Sequence, residues 1–205
     1  MKLSAMVIFA MCFLFFVPEV KASVYLEDSV TPVYTDDKKH NVVGTGFFIR
    51  RHLIMTNKHV VGSADTVAVR VHGKFVTGKV VLKSIAADLA LIKIKGRGQR
   101  PFPICKNVKT GDEIEIWAYD NTIMSKKAGV ITYFWITDFY STVVSYGGNS
   151  GSPTVRDGKC LAGVLWGGAK AMSAHVTAYK VRRFLARYDQ VLKKGREDLR
   201  KKRNK

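Results

Sequence analysis

The chain has 205 residues, 47% of them apolar, with 34 lysines and arginines against 16 acidic residues, a net charge of +18. That length and apolar content support one domain with a real core, or two small barrels sharing an interface. They exclude independent modules joined by a linker: no fixed-period repeat appears, and no low-complexity tract apart from the charged C-terminus.

In chain order, residues 1–22 differ from the rest. Lys2 precedes the apolar run 3–17, which Pro18 breaks, and Val20-Lys21-Ala22 then presents small or β-branched residues where a signal peptidase reads. This predicts a secretory signal removed near Ala22 and a secreted or periplasmic mature chain. The run is shorter than the roughly 20 residues needed to cross a bilayer, which leaves an uncleaved membrane anchor as the alternative. Cys12 would depart with the signal. Cys105 and Cys160 would remain in an oxidising compartment, a candidate disulfide pair, or else two buried small apolar residues.

Short runs rich in β-branched and aromatic residues follow at 42–49, 53–56, 66–71, 74–82, 89–94, 113–118, 129–133, 142–145, 152–155, 161–166 and 173–178. Their spacing predicts an all-β fold. His72-Gly73 and Asp157-Gly158 read as hairpin turns between consecutive strands. From Tyr179 the period becomes helical, with Val181, Phe184, Leu185, Tyr188 and Leu192 on one apolar face. Residues 187–205 are expected as a basic helix or tail, because residues 180–205 hold twelve Lys or Arg against Asp189, Glu197 and Asp198, half of the total excess charge.

Three segments carry chemistry. Gly147-Gly148-Asn149-Ser150-Gly151-Ser152-Pro153 brackets a serine with glycines that tolerate positive φ, so that amides of Gly148 to Ser150 can face one developing oxyanion. Thr56-Asn57-Lys58-His59-Val60-Val61 supplies a histidine, and Asp88 opens the apolar strand 89–94. A serine hydroxyl becomes a useful nucleophile only when a base takes its proton, and the base works best when a carboxylate fixes its tautomer. Each residue alone has an ordinary structural explanation: a packed histidine, a solvated turn aspartate, a turn serine. His40, His52 and His72 lie in charged or turn segments, no Cys-x-x-Cys spacing occurs, and neither a metal site nor a cofactor is expected.

These three motifs, in the order His, Asp, Ser, resemble the chymotrypsin-fold serine proteases. Gly44-Thr45-Gly46-Phe47-Phe48-Ile49 with 55–61 is similar to the glutamyl-endopeptidase and HtrA-like branches, and 147–153 with Gly163-Val164-Leu165-Trp166-Gly167-Gly168 is closest to the former. The resemblance spans about residues 42–186. It implies two six-stranded antiparallel β-barrels with a C-terminal α-helix over residues 23–186, catalytic His59, Asp88 and Ser150, and an oxyanion hole at Gly148, Asn149 and Ser150.

It also implies a substrate pocket near Ser145, Leu165, Trp166, Gly167 and His175. The glutamyl endopeptidases carry a glutamate-reading histidine where this chain has Leu165, and no acidic residue is placed to hold Lys or Arg, so a small or medium uncharged side chain is expected. His175 is a candidate for that wall, although strand alternation favours its pointing outward. Backbone groups of 165–167 would pair with an extended substrate. The implied activity is that of a serine endopeptidase on protein or peptide substrates. The alternatives are a non-catalytic protease-fold binding protein and a virus- or phage-encoded processing protease. The basic tail suits an anionic surface such as membrane headgroups or another polyanion, and with little aromatic interleaving no specific nucleic-acid partner is expected.

Overall fold

Six antiparallel strands close a first barrel: β1 (Val30–Tyr34), β2 (Val42–Arg50), β3 (Leu53–Thr56), β4 (Thr66–Val71), β5 (Lys74–Ser84) and β6 (Leu89–Ile94), in the order β1-β2-β3-β6-β5-β4. Six more close a second: β7 (Glu113–Asp120), β8 (Ile123–Trp135), β9 (Asp138–Ser141), β10 (Pro153–Arg156), β11 (Cys160–Ala169) and β12 (Met172–Thr177), in the order β10-β11-β12-β9-β8-β7. The computed structural model describes residues 24–35, 42–169 and 171–204, so the expected signal at 1–22, Cys12 and His40 lie outside the described residues. Short helices α1 (Val24–Glu27) and α2 (Lys58–Val61) and the long α3 (Ala178–Arg203) complete the chain. The expected all-β architecture of two six-stranded barrels with a terminal helix is what the chain adopts.

The apolar runs of β2, β3 and β6 arise because both faces of these strands are covered. Phe48, Ile54, Ala90 and Ile92 fill the first barrel, while Phe47, Leu53, Met55, Leu89 and Leu91 join Trp117, Val164 and Val176 in the core between the barrels. Pairing of Phe47 with Met55 and of Met55 with Leu91 keeps each set on one side. A one-residue slip would exchange the two sets. Each such fully buried large side chain contributes about 1.5–3 kcal/mol by leaving water.

Two strand expectations shift. The run 142–145 is not a strand: after β9 the chain turns and buries Val143 in the second barrel beside Phe139 and Leu165. β1 goes unpredicted because Pro32 argues against a strand interior. At Pro32 the strand pairs with β2 alone, and only Val33 and Tyr34 also reach β4, so the missing N–H breaks no second ladder.

The connection between the barrels is tied down at several points. Phe102 packs edge-on against Phe47 and Trp117, with ring centroids 5.5 and 5.7 Å away. Cys105 and Cys160 form a disulfide, with Cα atoms 5.2 Å apart, joining this connection to the start of β11. α3 is capped by Thr177, whose Oγ1 accepts from Lys180 N, and it buries Val181, Phe184, Leu185 and Tyr188. Leu192, expected on that face, is 40% exposed, and the helix runs through residue 187 without a break. Arg50 of the first barrel donates to both carboxylate oxygens of Asp189 at 2.7 and 2.8 Å.

Candidate active site

His59 stands on the single helical turn α2, which Val60 and Val61 anchor by burial. Asp88 holds this turn from the other side. Its Oδ2 lies 2.6 Å from His59 Nδ1, its Oδ1 accepts the His59 N–H at 3.0 Å, and its carbonyl accepts from Lys58 N and Asn57 Nδ2 at 3.1 and 2.9 Å. Asp88 adopts φ +46, a left-handed conformation that Asp tolerates better than most residues. With Nδ1–H donating to Asp88, Nε2 is left as the basic nitrogen.

The serine loop of the second barrel is pressed into this corner of the first. A Cβ at Gly151 would meet Thr45 O at 2.1 Å and Thr56 Oγ1 at 2.3 Å, and one at Gly44 would meet Val60 Cγ2 at 2.6 Å and Ser150 O at 2.9 Å. Close approach therefore requires glycine at both positions, and Gly151 also has φ +86. Thr45, fully buried, is the clasp. Its N–H donates to Ser150 O at 2.8 Å, its Oγ1 donates to Gly148 O at 3.0 Å and accepts from Tyr119 N at 2.9 Å, and its carbonyl accepts from Thr56 Oγ1 at 2.7 Å. Ser150 Oγ makes no hydrogen bond to the imidazole; catalytic hydrogen bonds commonly tighten only when substrate binds.

Among the described residues, the N–H groups of Gly148 (φ +91) and Ser150 donate to no protein acceptor, which leaves this pair free for a ligand oxygen. Asn149, expected to line the same hole, has a different place. Its N–H already donates to Tyr146 O at 3.1 Å, and its buried side chain anchors the loop. Asn149 Oδ1 accepts from Tyr146 N at 3.0 Å and Lys127 Nζ at 2.7 Å, while Nδ2 donates to Asp120 Oδ1 at 2.5 Å. Asp120 also accepts from Ser125 Oγ at 2.8 Å and Lys127 Nζ at 3.1 Å. Burial pushes the Asp120 carboxyl upward, but the hydrogen bonds from Asn149, Ser125 and Lys127 and the lysine charge outweigh it and hold its pKa below the usual carboxylate value. Thr45, Asp120 and Lys127 carry no motif of their own; only the Gly-Thr-Gly around Thr45 marks a close backbone approach.

The expected pocket residues divide. Ser145 accepts from Ser173 Oγ at 2.8 Å, and a Cβ at Gly168 would strike Ser145 Oγ at 2.1 Å, so Ser145, Gly168 and the buried Ser173 pack closely together. Trp166 is the unpaired residue of a bulge between Leu165 and Gly167, partly exposed, and Gly167 faces open space. Leu165 does not contribute as expected. Its side chain is buried in the second barrel and its N–H donates to Ser152 O, so only its carbonyl, which already accepts from Gly151 N, keeps a lone pair for a substrate strand.

His175 neither lines the pocket nor points outward. It pairs with Leu165 and faces the barrel interior, fully buried, because α3 covers the other face of β12. Its ring nitrogens meet Ser141 Oγ at 2.8 Å and Thr154 Oγ1 at 2.7 Å, and it stacks on Phe139 at 4.6 Å. Burial lowers its pKa to about 3, so it is neutral and cannot offer a cation to an acidic side chain. No cluster of His, Cys, Asp or Glu suited to a metal occurs among the described residues.

Residues 44–164, more than half of the chain, match the trypsin-like peptidase domain family. The glutamyl endopeptidase of Staphylococcus epidermidis is 25% identical over 168 residues, covering 69% of this chain and 60% of that protein. The mitochondrial protease Do-like 12 of Arabidopsis thaliana is 31% identical over 173 residues, covering 68% of this chain and 34% of that protein. The chain thus spans less than two thirds of the length of either relative. In fold it is similar to the active form of the Rv3671c protease of Mycobacterium tuberculosis (TM-score 0.71, 22% identity, 80% of this chain and 82% of that one). A serine endoprotease from Yersinia pestis is likewise similar (TM-score 0.72, 21% identity, 80% of this chain and 64% of that one). Both the match across 44–164 and the paired barrels lead to one conclusion: this chain, with its chymotrypsin fold, belongs to the trypsin-like peptidase domain family.

Proposed function

We propose that the chain is a serine endopeptidase that cleaves proteins or peptides through an acyl-enzyme. The observation that carries this is the 2.6 Å contact between His59 Nδ1 and Asp88 Oδ2, beside a serine loop with two unused amides. Ser150 Oγ attacks the scissile carbonyl carbon as His59 Nε2 takes its proton, and the new C–O bond converts the carbonyl oxygen to an oxyanion held by the Gly148 and Ser150 N–H groups. Collapse breaks the C–N bond, and His59 passes its proton to the departing amine. Water, deprotonated by the same nitrogen, then hydrolyses the ester. Asp88 keeps the proton on Nδ1 and stabilises the imidazolium without itself being protonated. Removing one oxyanion donor from such a site costs about 10²–10³ in kcat.

Ser145, held by the buried Ser173 and without a carboxylate partner, suits a small or medium uncharged substrate side chain. The segment 1–22 reads as an export signal, and the Cys105–Cys160 disulfide is consistent with an oxidising compartment. Exposed Lys and Arg on α3 favour association with an anionic surface.

The reading is tested by reacting the processed protein and its Ser150→Ala variant with a fluorophosphonate probe. Labelling of the first and not the second is expected. A processed wild-type protein that takes no label would overturn the enzyme and leave a binding protein.

A further inference from the structure

The largest exposed apolar side chains near α3 sit on protruding tips rather than on a flat face. The β8–β9 hairpin closes with Trp135 opposite Asp138, which leaves Ile136-Thr137 as a two-residue loop. Ile136 occupies its first central position with φ +54, where a hairpin of this kind ordinarily places glycine, and a β-branched residue there is a conformational outlier. Ile136 is 89% exposed and Trp135 62%. An apolar, strained residue held out in water gains nothing for the fold, so strain and exposure together point to a role outside it.

Two hollows link this tip to its surroundings. One, of about 300 Å³, lies between Phe134, Ile136, Tyr179, Lys106 and Arg182. The other, of about 610 Å³, lies between Thr137, Tyr179, Arg183, Arg187 and the turn at Ala86 and Ala87. That turn carries Ile85, 84% exposed, and leads directly into Asp88. Lys106 and Arg182 border the first hollow and Arg183 and Arg187 the second, and all four are exposed. Of the nearby acids, Asp138 accepts from Lys180 at 2.9 Å, Asp189 is held by Arg50, and Asp88 is turned to His59. Cations therefore border both hollows that lie between Ile136, Tyr179 and the turn carrying Ile85.

We propose that this face docks on an anionic lipid bilayer, with Trp135, Ile136 and Ile85 entering the headgroup boundary and the arginines meeting lipid phosphates. A protein partner would require shape complementarity, and separated tips with hollows between them offer little of it; a fluid headgroup layer moulds to such tips. Apolar insertion combined with cationic attraction is also the pairing that holds a peripheral protein more firmly than either does alone. Because the 84–87 turn precedes Asp88, the docked face lies next to the segment that orients His59.

The test uses the full processed chain and flotation with vesicles of phosphatidylcholine, with and without phosphatidylglycerol. Binding only to the anionic vesicles is expected, with a blue shift of tryptophan emission that disappears in Trp135→Phe. Ile136→Gly removes the wedge while relieving the turn, so it is expected to fold at least as stably as the wild type and to bind vesicles about tenfold more weakly. Retention of thermal stability in Ile136→Gly separates lost docking from lost folding. The proposal is overturned if the wild type ignores anionic vesicles, or if Ile136→Gly and Trp135→Ser bind them as well as the wild type does, which would assign binding to the tail charge alone. It is equally overturned if the same variants lose a protein partner while vesicle binding stays unchanged.

Discussion

Thr45 Oγ1, from the first barrel, donates a 3.0 Å hydrogen bond to the carbonyl of Gly148 in the serine loop of the second. The peptide it fixes adjoins the unused Gly148 and Ser150 amides, so under the proposed mechanism a buried threonine with no chemical role sets the direction of an oxyanion donor. Thr45→Val, close in shape, is expected to lower kcat/KM by about 10- to 100-fold. It also leaves Tyr119 N and Gly148 O without partners and should cost about 1–3 kcal/mol of stability. Thr45→Ser restores the hydroxyl and should recover most of both. Steady-state kinetics beside urea denaturation decide it: unchanged kcat/KM in the valine variant would remove Thr45 from the positioning of the loop.

Lys127 holds Asn149 from within the barrel, and both acceptor positions of Asn149 Oδ1 are taken, one by Lys127 Nζ and the other by Tyr146 N. An incoming N-terminal ammonium, which can only donate, would find no free acceptor on that oxygen. The loop should therefore be ordered without a newly cut N-terminus. Protein carrying an N-terminal extension is expected to match the processed form in kcat/KM, while Lys127→Met should lower the fraction of enzyme titrated by an active-site label. The Asp120 carboxyl in this network is held below its ordinary pKa. Its contribution is thus complete above the unfolded carboxylate value and is lost as pH falls through the lower folded one, leaving neutral-pH activity untouched.

His175 predicts acid sensitivity of another kind. Its folded pKa of about 3 lies below the unfolded value near 6.5, so above the latter both states are neutral and pH has no effect through this group. Between the two, the unfolded chain binds a proton that the folded chain refuses, and stability falls by about 1.4 kcal/mol per pH unit. His175→Gln keeps hydrogen-bonding capacity and removes the titration. Urea midpoints at neutral pH and in mild acid should show a smaller acid loss for this variant than for the wild type.

The Cys105–Cys160 disulfide closes a loop of 55 residues that contains β7 to β10. On the chain-entropy account this is worth about 4 kcal/mol. Replacing both cysteines with alanine should lower the thermal midpoint markedly while leaving the activity of the folded fraction near wild type, because neither sulfur touches the site. A variant that retains its thermal midpoint would show that packing around Phe102 already holds the connection.

Strands with strong local signals were readable in advance. Leu53–Thr56 and Leu89–Ile94 are dense in branched apolar residues, and of the motif residues His59 meets Asp88 while the loop of Ser150 packs on Thr45. What escaped depends on neighbours distant in sequence. His175 turns inward because α3, arriving later in the chain, covers the opposite face, and alternation alone cannot register a cover. The Leu165 side chain is withdrawn from the pocket because it packs with Ile131, Phe139 and Val143 inside the second barrel. Asp120 and Lys127 acquire their meaning only from the β7–β8 pairing that sets them beside Asn149.

In the mechanism we propose, the reacting groups are shared between the two barrels, His59 and Asp88 on one and Ser150 on the other, so a small sliding motion silences the reaction without unfolding anything. α3 grips the second barrel through Val181 and Leu185 and reaches the first through the Asp189 fork on Arg50. The terminal helix therefore behaves as a strut: weakening a surface ion pair far from the bond being cut should misalign the machinery before any loss of secondary structure can be seen.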